Sequence, residues 1–519
     1  MSSESNTSHR VIPNPIIPGF NPDPSLCRVG KDDFYLVTST FNFFPGLPIY
    51  HSKDLVSWTH IGNAIDRVDQ LPGLSETVIN GGLWAPTIRH HDGVFYIVTT
   101  LVLADKPVHD TSRWKNFYVR ASHPAGPWSD PIYFDYPGYD TSPFFDGKDI
   151  YIQGSFYYRI RPEISQINLS QPDQVPQRLW SGTGQKAPEA PHVLQHKNGW
   201  YYLIIAEGGT EEGHRVSMAR ARDWRAPEAE WEGCPHNPIL THADLPDAIV
   251  QCTGHADLFQ DQHDQWWMVL LACRNYQGRF PMGRETFLHP ISWPDDQPWP
   301  TVTRPIQVST HSASSANWRW REQDTLRYPF VHDNNQWVND WLWIRLPNKH
   351  HYVTEASNPF SITLHANPEA PGLDVLSGSP TFVALRQCHL ACRASVTLVL
   401  PENASLYAGL AIYLDARHYA SIGCTREKVL FSVHSGDDIQ EVNSPLEKDR
   451  EHTVALSIEA TVHDYKLYCD GKQLGSVDAK SFSFGFTGIL MGIFASSQSP
   501  GSAQFKDFAY EIHDQTMIG

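Results

Sequence analysis

Five short segments of this 519-residue chain carry side chains suited to chemistry, and each stands at nearly the same distance ahead of an aromatic-rich run. They are Asp23-Pro-Ser-Leu, Trp84-Ala-Pro-Thr-Ile, Asp140-Thr-Ser-Pro-Phe, Glu189-Ala-Pro-His-Val and His255-Ala-Asp-Leu-Phe, with offsets of 12, 12, 11, 13 and 12 residues. A near-constant offset places Asp23, Trp84, Asp140, Glu189 and His255 at one depth of a repeating unit, where they converge. Three carboxylates, an indole and an imidazole make a poor structural plug, because like charges at close range oppose burial. They suit hydrolysis of a glycosidic bond. One carboxylic acid protonates the leaving oxygen, a carboxylate across the anomeric carbon activates water, and a separation of roughly 6.5–9.5 Å gives inversion. A third carboxylate raises the pKa of the acid and keeps it protonated near neutral pH. Trp84 offers a wall to a sugar face, and His255 a donor to a ring hydroxyl. Singly, each residue has an ordinary reading: a turn at Asp23, surface acids at Asp140 and Glu189, a core indole at Trp84 and a core imidazole at His255. The shared phase is what favours a site.

The elements that must position these residues are strands. The aromatic run returns as Asp33-Phe-Tyr-Leu-Val-Thr, Gly93-Val-Phe-Tyr-Ile-Val-Thr, Lys148-Asp-Ile-Tyr-Ile-Gln, Gly199-Trp-Tyr-Tyr-Leu-Ile and Asp264-Gln-Trp-Trp-Met-Val. Aligned on Tyr35, Tyr96, Tyr151, Tyr202 and Trp267, the intervals are 61, 55, 51 and 65 residues, the length of a propeller blade with long loops. Helical periodicity is nearly absent, so residues 1–300 read as a five-bladed β-propeller whose innermost strands open with the five segments. Residues 301–324, Ser-rich after a cluster of prolines, read as a linker. From residue 325 the texture changes: Trp337 to Pro347 opens a series of alternating strands, among them Ala394–Leu400, Ala408–Leu414 and Tyr465–Cys469. Residues 325–519 therefore read as a β-sandwich of the lectin-like jelly-roll type, and the whole chain as all-β.

Composition narrows the partners. With 40 basic and 57 acidic residues the net charge is −17, which argues against nucleic acid and against an anionic membrane surface. No apolar run is long enough to span a bilayer. The eight cysteines show no paired spacing, and the start lacks a secretory leader's basic and apolar regions, so a cytoplasmic location is expected. No serine-hydrolase elbow, zinc-protease, Walker or dinucleotide signature is present. The glycine-rich Gly208-Gly-Thr-Glu-Glu-Gly213 reads as a loop.

With these residues in hand, the chain resembles the two-domain β-xylosidases of glycoside hydrolase family 43. The likeness runs through Asn14-Pro-Ile-Ile-Pro-Gly-Phe-Asn-Pro-Asp23-Pro-Ser, Ser39-Thr-Phe-Asn-Phe-Phe-Pro-Gly, Gly82-Leu-Trp-Ala-Pro86, Ala206-Glu-Gly-Gly-Thr, Gly254-His-Ala-Asp and Gly283-Arg-Glu-Thr-Phe. It implies that Asp23 is the general base, Glu189 the general acid and Asp140 the group that tunes and orients the acid. By the same likeness Phe41, Trp84, His255 and Arg284 line the subsite for the nonreducing sugar. It also implies that the sandwich packs on the propeller and sends Phe486 over the pocket, a role weighed against plain sandwich core. Thr141 stands where the family pattern usually has Pro, and Leu385-Arg-Gln-Cys-His389 departs at two places from an Arg-Arg-Gln-Thr-His signature. The expected activity is exo-acting, inverting release of terminal xylose from β-1,4-xylo-oligosaccharides, with α-L-arabinofuranosidase side activity on arabinose-decorated oligosaccharides. The alternatives are a mainly α-L-arabinofuranosidase enzyme and a noncatalytic sugar-binding propeller. No cofactor is required. The likeness leaves open a calcium ion on the axis near His255, and assembly into a homo-oligomer.

Overall fold

The computed structural model describes residues 12–157, 162–171, 174–308, 325–446 and 452–513. Strands dominate, and the helices among the described residues are single turns of three to five residues. Five separate antiparallel sheets follow one another along the first 291 residues. Blade 1 runs from Ser25–Val29 to Thr59–Ile65, and blade 2 from Gly82–His91 to Ile132–Tyr133. Blade 3 spans Tyr139–Asp146 to Gln177–Trp180, blade 4 Glu189–Gln195 to Leu240–Thr241, and blade 5 Val250–Gln260 to Arg284–Ile291. The five aromatic runs form the second strand of each blade, Asp33–Val37, Val94–Val102, Asp149–Tyr157, Tyr201–Glu207 and Trp266–Arg274. The five-bladed expectation is the architecture observed.

Blade 5 has only three strands of its own, and the start of the chain supplies the missing edge. Ile17 bridges Thr286 in antiparallel fashion, while the Asn14 side-chain amide donates to the Leu288 carbonyl at 2.8 Å and its oxygen accepts from the Leu288 N–H at 2.9 Å. This clasp closes the ring and leaves the sheet without a bare edge there. One layer beneath the expected site, residues further along the innermost strands knit the axis together. Arg89 of blade 2 makes a two-pronged pair with Asp257 of blade 5 at 2.7 and 3.1 Å, Ser25 of blade 1 donates to Asp257 at 2.7 Å, and His192 of blade 4 lies 3.2 Å from Arg89.

The second half is a two-sheet sandwich. One sheet joins Tyr352–Glu355, Asn358–His365, Ser502–Ile512, Cys392–Val399, Thr453–Ala460, Asp464–Cys469 and Lys472–Asp478, with Thr325–Arg327 added beside Ser502–Ile512. The facing sheet orders Phe382–Arg386, Leu490–Ser496, Tyr407–Asp415, His418–Cys424, Lys428–Ser435 and Asp438–Pro445. The segment 337–347 lies between the sandwich and the propeller: Leu342 bridges Ala384 of the sandwich, and Trp341 meets Phe508 edge-on at 5.2 Å. Its Trp343–Ile344 pairs with Phe43–Phe44 of the propeller, and the Trp343 ring touches both Phe44 of the propeller and Tyr352 of the sandwich. Much of the expected linker, 309–324, lies outside the described residues. Its first part packs on the propeller, with Thr301 bridging Ser292 and Ile306 buried in the core of blades 4 and 5.

The two domains share one continuous apolar core, in which Phe44, Leu47 and Ala64 meet Trp341, Trp343 and Val383. The altered signature at 385–389 works at this seam: Arg386 donates to the Phe20 carbonyl at 2.8 Å, and Gln387 accepts from Tyr465 at 2.8 Å. Such burial is non-directional and strong, at roughly 25 cal/mol per Å² of apolar surface. It fixes the sandwich as a rigid roof for the propeller's mouth.

Candidate active site

Each innermost strand carries, or is entered through, a backbone kink into the left-handed region. The residues concerned are Asp23 (φ 53°), Ala85 (φ 45°), Asp140 (φ 53°), Ala190 (φ 54°) and His255 (φ 46°). Pairing with the second strand is interrupted at the same points in blades 2 to 5. A left-handed residue with a Cβ costs roughly 1–2 kcal/mol, and such strain persists only where the surrounding structure enforces it. The kinks correct the sequence alignment by one residue in two blades. The positions equivalent to Asp23, Asp140 and His255 are Ala85 and Ala190, so Trp84 and Glu189 stand one residue earlier. Glu189 is therefore aimed from a different point of the repeat than the other two acids.

All eight expected residues, Asp23, Phe41, Trp84, Asp140, Glu189, His255, Arg284 and Phe486, line a single cavity of about 240 Å³ at the mouth of the propeller axis. Asp23 is buried and heavily partnered. Arg284 Nη1 donates to its Oδ1 at 3.2 Å, His255 Nδ1 lies 3.3 Å from the same oxygen, and the Ser39 hydroxyl donates to Oδ2 at 2.6 Å. Burial would raise its pKa, but the charges of Arg284 and His255 outweigh burial and hold the carboxyl well below the usual range. Glu189 has the opposite balance. Burial and the negative charge of Asp140 push it up to about 8, against which His255 and the Tyr139 hydroxyl work only in part. Asp140 is raised to about 6, chiefly by burial with the charge of Asp23 adding to it, while His255 and the Ala190 N–H oppose. His255 is raised although burial disfavours its charge, because Asp23, Asp140 and Glu189 surround it. One carboxyl is thus kept ionised and another kept protonated near neutrality.

The aromatic wall is held by backbone. Phe41 bridges Leu83, and Gly82 (φ +104°) permits this, since a Cβ there would lie 2.0 Å from the Phe41 carbonyl oxygen. Phe486 arrives from the sandwich. Its ring stacks on Phe41 at 5.8 Å and 25°, meets Trp84 edge-on at 5.6 Å, and its carbonyl accepts from Arg284 Nε and Nη2 at 3.1 and 3.0 Å. Its placement is over the cavity, not within the sandwich core.

Other lining residues were not singled out from sequence: Arg113, Trp114, Tyr139, Tyr157, Lys186 and His214. Tyr139 and Trp114 stack at 4.9 Å, and the Tyr139 hydroxyl donates to Glu189 Oε2 at 3.1 Å. The one available signal was adjacency, Tyr139 standing next to Asp140. Gly209, Thr210 and Glu211 of the glycine-rich loop also reach the cavity. Beside His255, the imidazole Nδ1 and the Arg284 guanidinium share one oxygen of Asp23. Among the described residues no three His, Cys, Asp or Glu side chains are grouped to hold a metal.

Residues 12–300 match the model of glycosyl hydrolases family 43, and residues 331–511 that of the beta xylosidase C-terminal concanavalin A-like domain. The chain is 34% identical to a non-reducing end alpha-L-arabinofuranosidase from Bacteroides ovatus, over 96% of this chain and 94% of that protein. It is 32% identical to a xylosidase/arabinosidase from Butyrivibrio fibrisolvens, over 96% and 98% of the two chains. A solved xylan beta-1,4-xylosidase from Bacillus halodurans C-125 superposes with a TM-score of 0.82 at 27% identity, covering 96% of this chain and all of that one. The noncatalytic alternative falls with these matches. With both halves of the chain matched in this way, the chain belongs to glycoside hydrolase family 43.

Proposed function

We propose that the enzyme removes single terminal pentoses from the nonreducing ends of short oligosaccharides, principally xylose from β-1,4-xylo-oligosaccharides, with α-L-arabinofuranosidase activity beside it. The observation that carries this reading is the small cavity holding an ionised Asp23 and a protonated Glu189, roofed by Phe486. A sugar ring entering against Trp84 and Phe41 meets cationic donors from Arg284 and His255. Glu189 gives its proton to the glycosidic oxygen as the bond lengthens, and Asp23 takes a proton from the water that attacks the anomeric carbon on the other face. Asp140 acts on Glu189 through charge, keeping it protonated until the leaving group needs it. No step is routed through a metal.

The roof supports exo cleavage, since a chain cannot run through a cavity closed on one side. The names of the relatives support both pentose activities, and the arabinofuranosidase at 34% identity favours the reading in which arabinose is the main product. The eight cysteines, seven of them buried and none in a disulfide among the described residues, support a reducing compartment; among the described residues no helix is long and apolar enough to cross a membrane. The deciding experiment is a panel of aryl β-xyloside and aryl α-L-arabinofuranoside, with the first-formed anomer followed by NMR and xylobiose compared with polymeric xylan. Inverted xylose released faster from xylobiose than from xylan is the expected result. Retained configuration or internal cutting of xylan overturns the proposal.

A further inference from the structure

Glu189 has two carboxyl oxygens, and only the one that carries the proton can serve as the acid. A carboxylic acid presents one O–H and one carbonyl oxygen, and a donor held against one oxygen forces the proton onto the other. The structure places such a donor. Tyr139 is buried, its ring fixed between Trp114, stacked at 4.9 Å, and Trp84, edge-on at 6.1 Å, and its hydroxyl donates to Glu189 Oε2 at 3.1 Å.

We propose that Tyr139 is a positioning residue that holds the acidic proton of Glu189 on Oε1, the oxygen it does not touch. This rests on the reading of Glu189 as the general acid. The strand order makes the arrangement possible. Tyr139 precedes the kinked Asp140 by one residue, and Glu189 precedes the kinked Ala190 by one, so both stand at the same offset on the neighbouring inner strands of blades 3 and 4. A phenol is a fitting donor here, because burial and the charge of Glu189 push its own pKa well above 10, so that it stays protonated across any working pH. The ionisable groups facing this pair are Asp140, Asp23 and His255 on the Glu189 side, and Tyr157 and Arg113 on the Tyr139 side.

The test uses the full-length enzyme and a series of aryl β-xylosides of graded leaving-group pKa, from dinitrophenyl to unsubstituted phenyl, with xylobiose as the natural extreme. Tyr139→Phe keeps the ring and its stacking. The expected result is a loss of kcat of roughly tenfold with phenyl xyloside and xylobiose, the effect of one hydrogen bond to a charged group, and almost none with the dinitrophenyl substrate, which leaves without a proton. The alkaline limb of the kcat/KM profile rises, because the lost donor had favoured the ionised carboxylate. A packing role gives a different signature: an equal loss with every leaving group, or an alkaline limb that falls as water enters. Either outcome overturns the proposal. Glu189→Ala in the same series separates the two readings. If its rate does not depend steeply on the leaving group, Glu189 is not the acid; if it does while Tyr139→Phe shows no such dependence, only the role of Tyr139 is lost.

Discussion

Asp23, Asp140 and Glu189 are chemically near-identical groups whose surroundings separate them. On the proposed mechanism, substitution of Asp23 by Ala removes the acceptor of the water's proton, and a fall in turnover of about two to four orders of magnitude is expected in steady-state assays. Asp140→Asn takes away a negative charge that raises Glu189. The pKa of the acid then drops, and the alkaline limb of activity moves to lower pH, readable in a kcat/KM profile. Glu189→Gln carries a stability consequence of the same charge balance. Glu189 titrates near 4.5 when unfolded and about 8 when folded, so between those values the native state binds the extra proton and stability falls as pH rises. The Gln variant, free of that penalty, is expected to melt higher than the parent above pH 8 in calorimetry. The three acids were legible from sequence because their types were unusual for their phase. Tyr139 and Trp114 were not, since aromatic residues in strands are ordinarily core and nothing in their spacing separates a wall of the site from a wall of the fold.

At the scale of the strand, the five kinks are the device that turns side chains toward the axis. Sequence alone put Trp84 and Glu189 one position out of phase, because a left-handed residue leaves no constant letter: Asp, Ala and His all occupy it. Phe41 and Arg284 were legible only through family likeness, being brought to the cavity by a loop and by the third strand of blade 5. Gly82 is where the wall is most sensitive. Gly82→Ala would push against the Phe41 carbonyl, and a loss of roughly 1–2 kcal/mol of sugar contact, about tenfold in KM, is expected with a smaller change in kcat. The layer below responds to acid. Burial raises Asp257, but Arg89, His192 and Ser25 overcome it and bring its pKa to about 2, so its contribution is complete above about pH 4 and is lost as pH falls toward 2. On the order of 2 kcal/mol is at stake, and an acid titration of stability that is flatter in Asp257→Asn would show it.

Over the whole molecule, the repeat interval gave the blade count and the change in texture gave the second domain, while the seam between them stayed hidden. In the segment 337–347, Leu342 bridges the sandwich while Trp343 and Ile344 beside it pair with the propeller, and both surroundings ask for the same alternating apolar side chains. What distinguishes a seam is the partner across it, which no single stretch of sequence names. The clasp at the start of the chain bears on heat tolerance. Asn14 stitches the first described residues to the last blade, and Asp23 follows nine residues later on the same segment. A hoop opens where its ends are joined, and the end that springs free first drags the Asp23 carboxylate with it. Warming should therefore silence the enzyme before it melts, and the gap between those two temperatures measures how firmly the hoop is buckled.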